Sequence, residues 1–191
     1  MVRILVTSGS ARRGSYNAKL ARHVRDRLRA AGVDTTYLDP THLVMPLYDG
    51  DLEEAEGLPE PARAFKRALE EHDGFVLTCP EYNGSITPLL KNAIDWASRR
   101  EGDEGPLVAF RGRTALLLST SPGVLGGLRG LVHVRAILSG IGVHVVPDQL
   151  AIGGAKTAFD DVGALADPDR RERLRSMLAS FVDVTARLRA G

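Results

Sequence analysis

Residues 74–98 read GFVLTCPEYNGSITPLLKNAIDWAS, and the order of their patterns decides the fold. Gly74 to Cys79 is a short apolar run rich in β-forming residues, as in a buried strand. Beyond Thr87-Pro88 the apolar spacing turns helical, with Leu89, Ala93, Trp96 and Ala97 in step. A strand that passes through a polar turn directly into a helix with proline in its first turn is one strand–helix unit.

The same unit recurs on both sides. Val2 to Ser8, Thr35 to Leu38, Phe75 to Cys79, Thr114 to Thr120 and Val143 to Val146 read as strands. Helical spacing links Leu20, Val24, Leu28 and Ala31, and continues in Pro59 to Glu71, Pro88 to Ser98 and Leu128 to Ile141. A closing helix opens at Asp167-Pro168 and is apolar at Leu174, Met177, Leu178, Phe181 and Leu188. The alternation predicts an α/β fold: a five-stranded parallel sheet inside a three-layer sandwich, with helices on both faces. In the doubly wound order 2-1-3-4-5, ligand sites lie beyond the carboxyl ends of the strands. At 191 residues, one domain spanning 1–191 is expected. The polar stretches 53–57 and 99–105 read as mobile surface loops.

Composition narrows the function classes. Lys plus Arg total 25 against 24 Asp plus Glu, a formal charge of +1, so no net field favours nucleic acid or an anionic membrane. Cys79 is the only cysteine, which excludes an intrachain disulfide and fits a reducing, cytoplasmic setting. No apolar run reaches the ~20 residues of a membrane helix, so membrane insertion is not expected. The five histidines lack the short spacings of a metal site, and none is assigned.

Attention therefore falls on the loops after the strands. Ser8 to Asn17, SGSARRGSYN, ends at a helix start whose free N–H groups and dipole favour an anion. It is neither a GxxxxGK[ST] loop nor GxGxxG, but Ser10, Arg12, Ser15 and Asn17 can grip a terminal phosphomonoester. The same residues also suit an ordinary capped helix start, with Ser15 or Asn17 as the cap. PEYNGS, Pro80 to Ser85, equally suits a tight turn.

Four stretches together resemble a known family. GSxRxxSxN after the first strand and PEYNGSxxPxLKNAIDW after the third are similar to the NADPH-dependent FMN reductases, flavodoxin-like proteins that include quinone, chromate and azo-dye reductases. LDPTHLVMPLYDGDLE (Leu38 to Glu53) and SPGVLGGLR (Ser121 to Arg129) agree with the same family, so the resemblance runs to about Ile152. It implies that Ser10, Arg12, Ser15 and Asn17 hold the FMN phosphate. Pro80, Glu81, Tyr82, Asn83, Gly84 and Ser85 would lie along the isoalloxazine ring, with Gly84 allowing close backbone approach. In the doubly wound order the loop Ser119 to Arg129, with hydroxyls at Ser119, Thr120 and Ser121, comes from the strand next to the third and could close over the ribityl chain or flavin edge. Ser119 and Ser121 are the site residues assigned there, although a glycine-rich linker is an equal reading of that loop. Family members often carry an aromatic shortly after the arginine of this loop, whereas Arg129 is followed by Gly130, Leu131, Val132 and His133.

The implied activity is hydride transfer from NADPH or NADH through FMN to a quinone, azo compound, chromate or free flavin, in ping-pong order. The flavin supplies the chemistry and no protein acid or base is assigned. Two other readings stay open: a flavodoxin-like electron carrier and a non-catalytic phosphate- or flavin-binding regulator. Carriers are typically strongly acidic, unlike this chain. Apolar residues spread around the helices at Pro88 to Ser98 and Leu128 to Ile141 call for a second burial partner. A homodimer or homotetramer, common in the family, is therefore expected.

Overall fold

The computed structural model describes residues 1–189. The first half of the chain forms β1 (Arg3–Ser8), α1 (Tyr16–Ala30), β2 (Asp34–Tyr37), a 3-10 turn (Pro40–Leu43), α2 (Gly50–Glu56) and α3 (Glu60–Glu70). Then come β3 (Gly74–Thr78), a two-stranded hairpin of β4 (Glu81–Tyr82) and β5 (Ser85–Ile86), and α4 (Pro88–Ala97). The chain continues through β6 (Thr114–Thr120), α5 (Leu128–Gly140), β7 (His144–Ile152) and α6 (Pro168–Arg189).

The main sheet has five strands in the order β2-β1-β3-β6-β7, and every pairing in it is parallel. Setting aside the small hairpin, this is the expected 2-1-3-4-5 order of a flavodoxin-like sandwich. Alternate residues of each strand face opposite layers. Ile4, Val6, Val76, Leu116 and Leu118 pack with α1 and α6, against Leu20, Val24, Leu174 and Phe181. Leu5, Phe75, Leu77, Ala115 and Leu117 pack with α3, α4 and α5, against Phe65, Leu90, Ile94, Leu131 and Leu138. Burial on both faces is why the strands read as continuous apolar runs rather than alternating ones. Each large apolar side chain withdrawn from water contributes about 1.5–3 kcal/mol.

Three local expectations need correction. Residues 53–57 are not simply a loop: Asp49 caps α2 by accepting the Asp51 N–H at 2.9 Å, and Gly57 ends it at positive φ. The stretch 99–105 is pinned to α3, where Lys66 pairs with Glu104 and donates to the Arg99 carbonyl at 3.0 Å, while Arg63 pairs with Glu101. The last strand runs to Ile152 rather than stopping at Val146. Its pairing with β6 skips between Ala115 and Leu117, and an edge strand with such an irregularity accommodates Pro147.

The apolar excess of α4 also finds its partner inside the chain. Leu90, Ala93, Ile94, Trp96 and Ala97 are all buried, Trp96 against Leu58 and Ala62. The Trp96 indole N–H donates to the Pro46 carbonyl at 2.8 Å, and Asn92 donates to the same oxygen while accepting the Tyr48 N–H. Segment 46–62 thus covers the face that pattern alone assigned to another copy. On α5, Leu128 and Val132 remain exposed, as do Val124 and Leu125 just before it.

Candidate functional site

Because β1, β3 and β6 are neighbours and parallel, the loops leaving their carboxyl ends must meet. Several bonds fix how. Gly9 N–H donates to the Thr78 carbonyl at 2.9 Å, and the Thr87 hydroxyl, while capping α4, donates to the Gly9 carbonyl at 2.7 Å. Asn17 donates its amide to the Thr120 carbonyl at 2.8 Å and accepts the Thr120 N–H at 3.0 Å. The Thr78 hydroxyl donates to the Asn17 carbonyl at 2.9 Å. One asparagine therefore ties the start of α1 to the ends of β3 and β6.

That anchorage sets the start of α1. Ser15 is its N-cap, its hydroxyl accepting the Ala18 N–H at 3.2 Å. The helix carries no acidic residue in its first turn, which leaves its positive end uncompensated. Ser10, Arg12, Ser15, Tyr16 and Asn17 on one side and Pro80, Glu81, Tyr82, Thr120, Ser121 and Pro122 on the other enclose a cavity of about 120 Å³. Arg12 is exposed, and its guanidinium lies 3.4 Å from the carbonyls of Arg13 and Gly14. The donor set is small, hydroxyl-rich and cationic, suited to a phosphate-sized anion.

Beside the cavity stands the β4–β5 hairpin. Asn83 and Gly84 form its tip with φ of 52° and 79°, the two left-handed positions of a tight two-residue hairpin turn. The Glu81 carboxylate turns back to α5, taking bonds from the Arg129 side chain and from the N–H groups of Arg129 and Gly130. Burial alone would push the Glu81 carboxyl up, but these donors outweigh it and hold it below the usual carboxylate range.

Over this same edge, residues 2–157 match the family model described as NADPH-dependent FMN reductase. The chain belongs to that family. Among relatives of the NADPH-dependent FMN reductase type, a quinone reductase of Escherichia coli K12 is 32% identical over 190 residues, covering 98% of this chain and 97% of that protein. A NAD(P)H-dependent FMN reductase of Pseudomonas aeruginosa is 34% identical over 189 residues, with the same coverage of 98% and 97%. The structure of a flavoenzyme NAD(P)H:(acceptor) oxidoreductase from Paracoccus denitrificans superposes with a TM-score of 0.83 at 27% identity, covering 98% of both chains.

Of the residues expected at this FMN reductase edge, Ser10, Arg12, Ser15, Asn17, Pro80, Glu81, Tyr82 and Ser121 line one cavity. Asn83, Gly84 and Ser85 do not; they form the tip and return strand of the hairpin. The glycine freedom at Gly84 serves the turn itself, since a Cβ there would meet nothing nearer than Arg129 Nε at 3.9 Å. Ser119 is fully buried with its hydroxyl unpartnered, facing Gly127 instead of the cavity. Thr120, the neighbour of opposite parity along β6, takes its place in the lining. Tyr16 and Pro122 also line the cavity and had no signal beyond their position in the loops.

Proposed function

We propose that the chain is an FMN-dependent NAD(P)H oxidoreductase working in ping-pong order. A reduced nicotinamide delivers a hydride and leaves, and a second molecule such as a quinone, azo compound, chromate or free flavin takes the electrons. The observation that carries this reading is the anion-ready start of α1 meeting the hairpin on one sheet edge. FMN has the two matching parts, a phosphomonoester and a flat ring with a hydrogen-bonding edge. The cavity falls well below the ~300–1,000 Å³ of a whole ligand site, so it suits the phosphate end, and the ring would lie outside it along Pro80 to Ser85.

In this reading Ser10, Arg12, Ser15 and the first N–H groups of α1 bind the phosphate. Asn17 keeps that turn in place through Thr120, and Ser121 lies where the chain leaves β6. Bound FMN supplies the two-electron hydride chemistry. Glu81 stays ionised and occupied with α5, so it carries no proton to a reacting atom. No catalytic residue is therefore assigned. Arg13, beside Arg12 at the mouth, is free to meet the 2′-phosphate of NADPH. The activities for which the Escherichia, Pseudomonas and Paracoccus relatives are named support the donor and acceptor classes.

The absorption spectrum of the purified protein mixed with FMN, before and after reduced nicotinamide, tests the proposal. A flavin spectrum bleached by NADPH or NADH and restored by a quinone is expected. A protein that stays colourless after reconstitution, or a bound flavin that reduced nicotinamide does not bleach, would overturn it. A homodimer or homotetramer belongs to the same reading, supported by the exposed Val124, Leu125, Leu128 and Val132 beside the cleft. Light scattering at micromolar concentration should give a multiple of 20.6 kDa.

A further inference from the structure

We infer that Glu81 and Arg129 form a latch that mounts the ring hairpin on α5, making Glu81 a positioning residue for the flavin ring. The inference rests on the FMN reading above.

The need for such a device follows from the hairpin's size. It pairs only Glu81 with Ile86 and Tyr82 with Ser85, and a two-stranded hairpin is marginal in water even when longer. Something outside it must hold it still. α5 has a matching need, because its N-cap is Gly127, left-handed and without a side chain to satisfy the first N–H groups. Glu81 Oε2 accepts the N–H groups of Arg129 at 3.1 Å and Gly130 at 3.3 Å, a helix cap supplied from 48 residues away. Its other oxygen, Oε1, accepts Arg129 Nε at 2.8 Å and a terminal guanidinium nitrogen at 2.5 Å.

All four bonds thus come from one turn of helix, and the carboxylate receiving them is largely shielded, its side chain 8% exposed against 64% for Arg129. Charge-assisted bonds to a shielded carboxylate are stronger and less salt-screened than a surface ion pair. A second tie lies one helical turn on, where Ser85 Oγ and His133 Nδ1 are 2.7 Å apart. Between the two ties, Gly130 lets the hairpin close on the helix: a Cβ there would sit 3.2 Å from the Ser85 carbonyl oxygen and 3.4 Å from Glu81 Cβ.

The latch sets the fraction of time the hairpin stands ready for the ring, and apparent affinity falls in proportion to that fraction. Its four bonds all run to α5 and none reaches the turn before α1, although Glu81 also lines the phosphate-sized cavity. The two ends of the ligand can therefore be separated by comparing FMN with riboflavin, which lacks the phosphate.

The test measures binding of both flavins to the apo-protein by fluorescence quenching, with hydrogen exchange across residues 80–86. Arg129→Leu should weaken FMN and riboflavin by the same factor, about tenfold if the ready fraction falls to one tenth. Exchange in the hairpin should quicken, and the visible circular dichroism of the bound flavin should change. Glu81→Gln, which keeps an oxygen for the helix N–H groups, should fall between Arg129→Leu and wild type. Arg12→Ala should weaken FMN alone. If both latch variants bind riboflavin as tightly as wild type, or leave hairpin exchange unchanged, the inference is overturned. Wild-type protein that binds neither flavin would instead overturn the FMN reading, and the latch's role in ring positioning with it.

Discussion

The turn before α1 and the β4–β5 hairpin face each other across one cavity but are held in opposite ways. Asn17 is stitched to Thr120 and Thr78 at the ends of central strands, with every partner buried. The hairpin stands outside the main sheet, with Asn83 at its tip exposed, and reaches the fold through one carboxylate, one serine and the half-buried Ile86. The first region is positioned by the same contacts that make the sheet, so disturbing it costs stability. The second is positioned by a few polar bonds to one helix and a single apolar contact at Ile86, so it can be disturbed while the rest of the fold stays intact.

Asn17→Ala should break the contrast most severely. It leaves the buried N–H and carbonyl of Thr120 without side-chain partners, and at about 1–3 kcal/mol for each such group the loss of stability should be roughly 3 kcal/mol. Urea unfolding of the apo-protein measures it, and a loss under about 1 kcal/mol would show that the turn is not built into the core as described. Arg12→Ala should leave stability alone and remove about 1.5–3 kcal/mol of FMN affinity, with riboflavin binding unaffected. Equal FMN affinity in wild type and variant would take Arg12 out of the phosphate site.

The hairpin side should respond to acid. Glu81 has a folded-state pKa held below its reference value of 4.5, so the latch contributes its full stability above that value. The contribution fades as pH falls through the depressed folded-state pKa. Thermal unfolding from pH 7 to pH 3 should show wild type and Glu81→Gln separated by a constant gap at neutral pH that narrows in acid. A gap that does not change with pH would mean the carboxylate charge is not what holds the hairpin. The smallest effect is expected from Gly130→Ala. Alanine favours the helix by up to ~1 kcal/mol but presses on the Ser85 carbonyl, so stability should hold or rise while flavin affinity falls a few-fold. Unchanged riboflavin binding in that variant would show that the hairpin yields without cost.

Much of this contrast was legible in the sequence, on the side that depends on local pattern. Apolar runs gave the five sheet strands, and the strand-to-helix loops gave the edge where the cavity lies. The caps of α2, Asp49 and Gly57, were also readable, but the acidic stretch between them outweighed them in a reading weighted towards apolar spacing. Pro147 masked the far half of β7, because a proline is tolerated in a strand only where the pairing is irregular or open. Strand parity sends the adjacent Ser119 and Thr120 to opposite faces, and only the structure shows that Thr120 is the one beside the cavity. Asn83-Gly84 was a hairpin signal in plain view, yet strands of two residues carry no periodicity to support it. The Glu81–Arg129 tie spans 48 residues, and only the fold brings its ends together.

Cys79, at the end of β3, lies beneath this same edge. It is fully buried, with its sulfur 3.6 Å from the Leu77 carbonyl, and burial pushes the thiol far above its ordinary range. Quinones are electrophiles as well as electron acceptors, and it is the thiolate form of cysteine that they arylate. An oxidoreductase with quinones as acceptors, as proposed above, would poison itself through any exposed, ionised cysteine. Under the proposed function, the only cysteine of this chain, buried and held protonated at the end of β3, would offer such an acceptor no thiolate to bond with.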